Sequence, residues 1–499
     1  MMFQQQPGHP HPLLPNLLFD LSRQKQRQLL GAFWIVALSL IGYELFWART
    51  GSSLSNIGAV LITVSALLPG YLWCSGQAQG MPIFPFFALT YIWTYGLPLV
   101  INHPKVITYS PESQLSAALT TSGFLLLGTW VWFQFVKSPS PLPPVYRALD
   151  EHKGDRFFLM MLATAVLFNL SANGGWLQLS GGLLGTIRNA VLGLTALASF
   201  VLAYRTGTQE LTKQQSRLFI ILLVSYMLTS ASGLLLIGAS STFLISTIAF
   251  VIGRKKVPIL PIVLMLICLS FLHYGKAEMR SKYWGGQGIP KLQPWDYPAW
   301  YSEWAGYSLE YFGRQEEELS KSEEKESFLV RSSVIQMLLL AQSKSPETVP
   351  YLYGKTYAIL PQVVIPRVLN PSKIRTTEGT HILSVHYGLQ TYEKTFTTSI
   401  SWGLLAESYG NFGVLGCAGL AVVLGWAYGK VTRWSLNAPI LSAQSLFSVI
   451  MMTFALQTEW TAGVYVAALY QTSTVLGGIV FVLMRSYSTM DLPMMAYRR

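Results

Sequence analysis

The sequence predicts an all-α protein built of membrane-crossing helices, and three observations lead there. Of its 499 residues, 51% are hydrophobic and only 12% are charged, more apolar than an ordinary soluble domain. The apolar residues fall in long blocks, most of which match the roughly 17–25 residues that a helix needs to cross a bilayer. The basic residues collect in alternate connecting segments.

Taken in order, the apolar blocks place helices near residues 30–48, 54–74, 82–101, 115–136, 157–175, 183–204, 218–237, 239–252 and 257–274. Three more follow near 413–429, 437–457 and 463–484, giving about twelve transmembrane helices. The block at 239–252 is short for a crossing, at about 14 residues. The first block follows a polar, basic lead and no small-residue cleavage site comes after it, so it reads as a retained helix and not as a signal peptide. Residues 1–274 then form an amino-terminal transmembrane block of about nine helices. Residues 275–398 form one large extramembrane loop, and 399–499 a carboxy-terminal block of about three helices.

Charge gives the orientation. With the amino terminus inside, the inner segments hold eighteen basic residues, among them Arg23, Lys137, Arg205, Arg254, Lys255, Lys256 and Arg433, against six acidic ones. That surplus equals the whole net charge of +12. The short outer loops carry chiefly Arg49 and Lys105, so both termini are expected to be cytoplasmic and 275–398 to face outward. The basic balance therefore calls for no nucleic acid. Cys74, Cys268 and Cys417 lie in or beside predicted spans, which leaves neither a disulfide framework nor a cysteine metal site. The stretch Ser138-Pro139-Ser140-Pro141-Leu142-Pro143-Pro144 is a stiff connector without chemistry.

The loop 275–398 holds 14 of the 35 Lys and Arg residues. Its aromatic run, Tyr283, Trp284, Trp295, Tyr297, Trp300, Tyr301 and Trp304, admits two readings. Amphipathic rings settle at headgroup depth, and their faces also stack on sugar rings. The charged stretch 314–326 reads as a solvated helix. Residues 328–340 read as an amphipathic helix lying along the leaflet. The apolar stretch at 356–366 suits a re-entrant or interfacial segment.

The chemistry available is restricted. There is no GxxxxGK[ST] phosphate loop and no HExxH pair, and the seven histidines are scattered. No carboxylate pair in the first outer loops offers a nest for Mg²⁺ or Mn²⁺. Catalysis, if present, is expected to need neither metal nor cofactor. His381 is then a candidate acid–base, against the alternative of an ordinary polar loop residue. Arg188, Arg280, Arg331, Arg367, Lys373 and Arg375 are candidate ligands for phosphate, because a guanidinium makes bidentate, charge-assisted bonds to it. The other reading is snorkelling of each basic side chain to anionic headgroups. Glu407 stands beside an apolar span, where an unpaired charge costs about 2.5–3.5 kcal/mol, and this makes it a functional candidate by default. Glu44 and Glu459 are rival intramembrane carboxylates with less local context.

Three stretches together resemble bacterial Wzy-type O-antigen polymerases. They are Pro350-x-x-x-Gly354-Lys355-Thr356-Tyr357, Ile365-Pro366-Arg367 with Asn370-Pro371-x-Lys373, and Thr397-Thr398-Ser399 with Glu407-x-x-x-Asn411-Phe412-Gly413-x-x-Gly416. The local likeness covers residues 350–416; elsewhere only the layout is similar, to this family and to the related O-antigen ligases. One departure is Gly238-Ala239-Ser240-Ser241-Thr242, where such proteins often carry a basic residue. The resemblance implies a GT-C-like inner-membrane glycosyltransferase that joins undecaprenyl-diphosphate-linked oligosaccharides at the periplasmic face. A flippase and a chain-length regulator would be its pathway partners. It also implies Glu407 or His381 as base, the arginines on the diphosphate, and Tyr409 and Asn411 in contact with substrate. A ligase acting on another acceptor, a lipid-linked oligosaccharide flippase and a non-catalytic scaffold are the alternatives.

Overall fold

The computed structural model describes residues 23–48, 52–138, 145–149, 154–177, 181–234, 236–283, 290–313, 333–365, 370, 372–396 and 398–488. Among the described residues the first part holds nine α-helices: α1 (Arg23–Gly42), α2 (Ser53–Cys74), α3 (Ile83–Tyr91), α4 (Pro111–Val136), α5 (Asp155–Asn173), α6 (Gly181–Thr208), α7 (Lys213–Ala231), α8 (Leu236–Arg254) and α9 (Ile259–Lys282). The more polar stretch that follows adds α10 (Tyr297–Gly313), α11 (Ile335–Lys344), α12 (Leu360–Val364) and α13 (Glu378–His386). The chain closes with α14 (Leu404–Ser435), α15 (Ala443–Ala455) and α16 (Ala462–Leu483).

Each of the twelve predicted apolar blocks falls on a helical element, and seven of these helices are long and apolar enough to cross a bilayer. They are α1, continued through a π-helical turn to Trp47, and α2, α4, α5, α9, α14 and α16. The chain is a polytopic helical membrane protein. Ile83–Leu99, Gly238–Arg254 and Ala443–Ala455 are shorter apolar helices. The block predicted at 82–101 is interrupted: α3 gives way to a π-helical turn, Ile92–Gly96, and a 3₁₀ turn, Leu97–Leu99. α9 runs eight residues past the expected loop boundary at 274, to Lys282.

Local chemistry starts these helices. Side-chain oxygens of Ser52, Ser110 and Ser442 accept the first free N–H groups of α2, α4 and α15, and Thr212 with Gln215 forms a capping box on α7. α4 and α14 pack closely because Gly425 lets the backbones meet; a β-carbon there would lie 2.6 Å from the carbonyl oxygen of Gly128. α6 and α8 cross in the same way at Gly207 and Gly253. At the basic end, the fully buried Arg205 pairs with Asp155 and lies 3.6 Å from Glu210.

Two short strands qualify the all-α expectation. β1 (Val145–Leu149) pairs antiparallel with β2 (Met484–Ser488), Arg147 opposite Ser486. The polar residues after α16 cannot extend an apolar helix, and the backbone satisfies itself by pairing with the strand that follows Pro144.

The stretch between α9 and α14 packs more closely than its sequence suggests. α10 packs against α9, where Trp304 donates to the Leu272 carbonyl at 2.6 Å and Trp300 lies 4.7 Å from Tyr283, ring to ring. Trp300 and Trp304 are thus core residues and not a platform, whereas Trp295 remains exposed. The apolar face of α11 is covered by protein. Its Ile335, Leu338 and Leu339 are buried against α4 and α14, and Gln342 donates to Thr120 at 2.9 Å. Residues 356–365 form turns and the five-residue α12. The charged stretch 314–326 lies outside the described residues.

Candidate functional site

α14 is two helices in one. Phe412 (φ −142°) and Gly413 (φ 62°, ψ −147°) break it, a conformation open to glycine at position 413 because any β-carbon would sit 2.8 Å from the Tyr351 hydroxyl. A break at this depth frees carbonyls that must find donors. The loop 351–354 supplies them: Leu352 N–H donates to the Gly410 carbonyl at 3.0 Å, and Tyr353 N–H to that of Asn411 at 3.1 Å. Gly354 N–H donates to Asn411 Oδ1 at 3.0 Å, and the Tyr357 and Ser408 hydroxyls meet at 2.6 Å.

Asn411, fully buried, holds this junction together. Its Nδ2 donates to Thr356 Oγ1 and to the Glu407 carbonyl, both at 2.8 Å. The Glu407 side chain is also fully buried. Its Oε2 accepts from Ala462 N–H at 2.6 Å, the first N–H of α16, so a carboxylate sits at the positive end of a helix. Its Oε1 has no hydrogen-bond partner among the described residues and faces Gly379 of α13, 3.5 Å from where a β-carbon would stand.

α13 brings the third group. Arg375, Glu378 and His381 follow one another at three-residue intervals: Glu378 and His381 share a face of α13, and Arg375 stands in the turn before it. Arg375 donates to Glu378 Oε2 at 3.3 Å and to the Thr395 carbonyl at 3.2 Å. His381 is 3% exposed, with Nδ1 3.9 Å from Glu378 Oε2: ion-pair range, but beyond a hydrogen bond. Burial holds the imidazole below its usual value of 6.5 and the Arg375 charge adds to this, while Glu378 opposes both. The Tyr357 phenol is pushed up by burial first and by the Glu407 charge second. Thr380 and Thr461 hydroxyls meet at 3.0 Å, and Trp402 donates to Ser384 at 3.0 Å, so α13 is fastened to the starts of α14 and α16.

The structure thus joins Glu407 and Asn411 at one junction, with Tyr409 at its edge against Tyr351, while Arg375 and His381 sit together on Glu378 in the adjoining turn and α13, whose Gly379 faces Glu407. Arg280 is engaged elsewhere: its Nε and Nη2 donate to the Leu234 carbonyl at 3.2 and 2.7 Å, in the turn between α7 and α8. Lys373 takes part in a backbone turn with Asn370. Arg331 and Arg367 lie outside the described residues, and Arg188 is described only as part of α6. Glu44 is buried in the π-helical turn and accepts from Thr63 at 2.6 Å. Glu459 accepts from Ser401 at 3.1 Å, beside the junction.

Sequence reasoning passed over Glu378, Gly379, Thr461 and Ala462. The signals were there: Glu378 completes the Arg375–His381 spacing, and Thr461 before an apolar run is an N-cap pattern. No family model, curated protein or solved structure matches this chain.

Proposed function

We propose that this junction transfers glycosyl groups from a lipid-linked diphosphate oligosaccharide to the hydroxyl of a second such unit, as a metal-independent polymerase. The observation that supports it is the convergence of two stretches of the resemblance. Residues 351–357 and 404–413 are separate in sequence, yet they meet around the broken α14 through Gly354–Asn411, Thr356–Asn411 and Tyr357–Ser408 contacts, and Gly379 of α13, shortly after the turn that holds Arg375, faces Glu407. In this reading the acceptor oxygen attacks the anomeric carbon, the bond from that carbon to the diphosphate oxygen breaks, and the diphosphate leaves with the electron pair. Glu407 Oε1 takes the hydroxyl proton, with His381 as the second proton-handling group. Arg375 stabilises the charge gathering on the diphosphate. About twelve crossings in a GT-C-like arrangement, a bacterial inner-membrane location, cytoplasmic termini and a periplasmic junction complete the proposal.

The test is direct. Purified protein given undecaprenyl-diphosphate-linked oligosaccharide in EDTA, without nucleotide, is expected to lengthen the glycan on its lipid. Strict dependence on Mg²⁺ or ATP, or no elongation by protein that is folded and lipid-embedded, overturns the proposal.

A further inference from the structure

Far from the junction, near the basic end of the bundle, lies a cavity of about 210 Å³. Trp73 and Phe86 wall it at the end of α2 and the start of α3, Phe200 from α6, Ile252 from α8, and Val449 and Met452 from α15. Its surface exposes only apolar atoms. α8 packs along α6 and α7, and the cavity separates it from α3 and α15. Trp73, Phe86 and Val251 in its wall are only partly buried, so the space borders the outside of the bundle. An apolar cavity of about 150 Å³ stays free of water and admits small hydrocarbons. In a membrane the hydrocarbon at hand is a lipid chain.

The rim carries a second observation. Two residues after the wall residue Ile252, α8 ends at Arg254, and Lys255 and Lys256 follow, all three exposed. Basic residues between helix ends are the sites that hold anionic headgroups. We infer that this cavity and its rim bind one anionic diacyl phospholipid, with an acyl chain between α8, α3 and α15 and its phosphate at Arg254 and Lys256. The lipid would complete the packing of α8 against the rest of the bundle. The inference is independent of any transfer reaction at the broken helix.

The experiment uses the full chain in nanodiscs carrying a trace of phosphatidylglycerol or phosphatidylcholine with a photoreactive diazirine in one acyl chain. Crosslinked peptides are mapped by mass spectrometry. Crosslinks are expected to concentrate at the wall residues of α3, α8 and α15 over the lipid-facing side of α9, and to favour phosphatidylglycerol. Arg254→Gln with Lys256→Gln leaves the wall intact and is expected to reduce that preference roughly fivefold for each residue removed. Val449→Trp fills the space and is expected to abolish the wall crosslinks. Unchanged gel-filtration and thermal profiles of the rim variant guard against misfolding. Crosslinks spread evenly over all lipid-facing helices, or equal wall labelling by the two lipids, overturn the inference.

Discussion

Glu407 does two things that one substitution can separate. Its Oε2 anchors the first N–H of α16, and its Oε1 is the proton acceptor of the proposed reaction. Glutamine keeps an oxygen for Ala462 and loses the basicity, so Glu407→Gln is expected to fold while glycan transfer falls by about 10²–10⁴. Glu407→Ala loses the anchor too and is expected to unfold at a lower temperature, which thermal scans of detergent-solubilised protein would register. A fully active Glu407→Gln would move the base to His381. Arg375→Lys keeps the charge without the planar fork and is expected to restore only part of the transfer lost in Arg375→Ala. His381 gives a pH dependence. Burial and Arg375 hold its imidazole below 6.5, so the folded protein takes the proton less readily than the unfolded chain. The stability that rests on neutral His381 is complete above that value and is lost as pH falls below it toward the folded value. Protection from hydrogen exchange in 378–386, taken relative to the intrinsic rate at each pH, is expected to fall on acidification through this range, and to fall less in His381→Gln.

At the scale of elements, the break in α14 is the feature on which the junction depends. Gly413→Ala forces a β-carbon into a conformation reserved for glycine, beside the Tyr351 hydroxyl. Such strain costs about 1–3 kcal/mol, and the variant is expected to melt earlier and to expose 351–357 to protease. The break also shows what the sequence could convey. Apolar runs located the helices, since burial in lipid demands long continuous hydrophobic stretches, and the glycines at 410, 413 and 416 marked a place where backbone comes close. Glu407 was legible because an ionisable group beside such a run needs a partner, and Asn411 and Thr356 through the resemblance. Ala462 and Gly379 were not, because a main-chain N–H and a small residue carry no sequence mark of what they will touch. The aromatic run misled for a related reason. Trp300 and Trp304 have the amphipathic character of an interface belt, yet the return of α10 onto α9 buries them.

At the scale of the whole molecule, the junction and the basic end lie at opposite ends of the bundle in the proposed topology. In a cysteine-free background, Ser343→Cys is expected to react with an impermeant thiol reagent in intact cells, and Gln214→Cys only after permeabilisation. The reverse pattern would turn the molecule over and with it the proposed site.

α16 also sets an order in time. α16 is fastened at its start to Glu407 and at its end, through β2, to β1. Synthesis runs from the amino end, so Glu407 reaches the membrane 55 residues before the N–H that it will hold. Until then the lone carboxylate faces the insertion penalty of about 2.5–3.5 kcal/mol. The short stretch ahead of the break can wait at the water interface while the longer part of α14 inserts. A nascent chain arrested before Ala462 emerges is therefore expected to leave residues 404–411 open to added protease, and one arrested after α16 has entered the bilayer to protect them. The buried junction closes only once α16 has followed α14 into the bilayer.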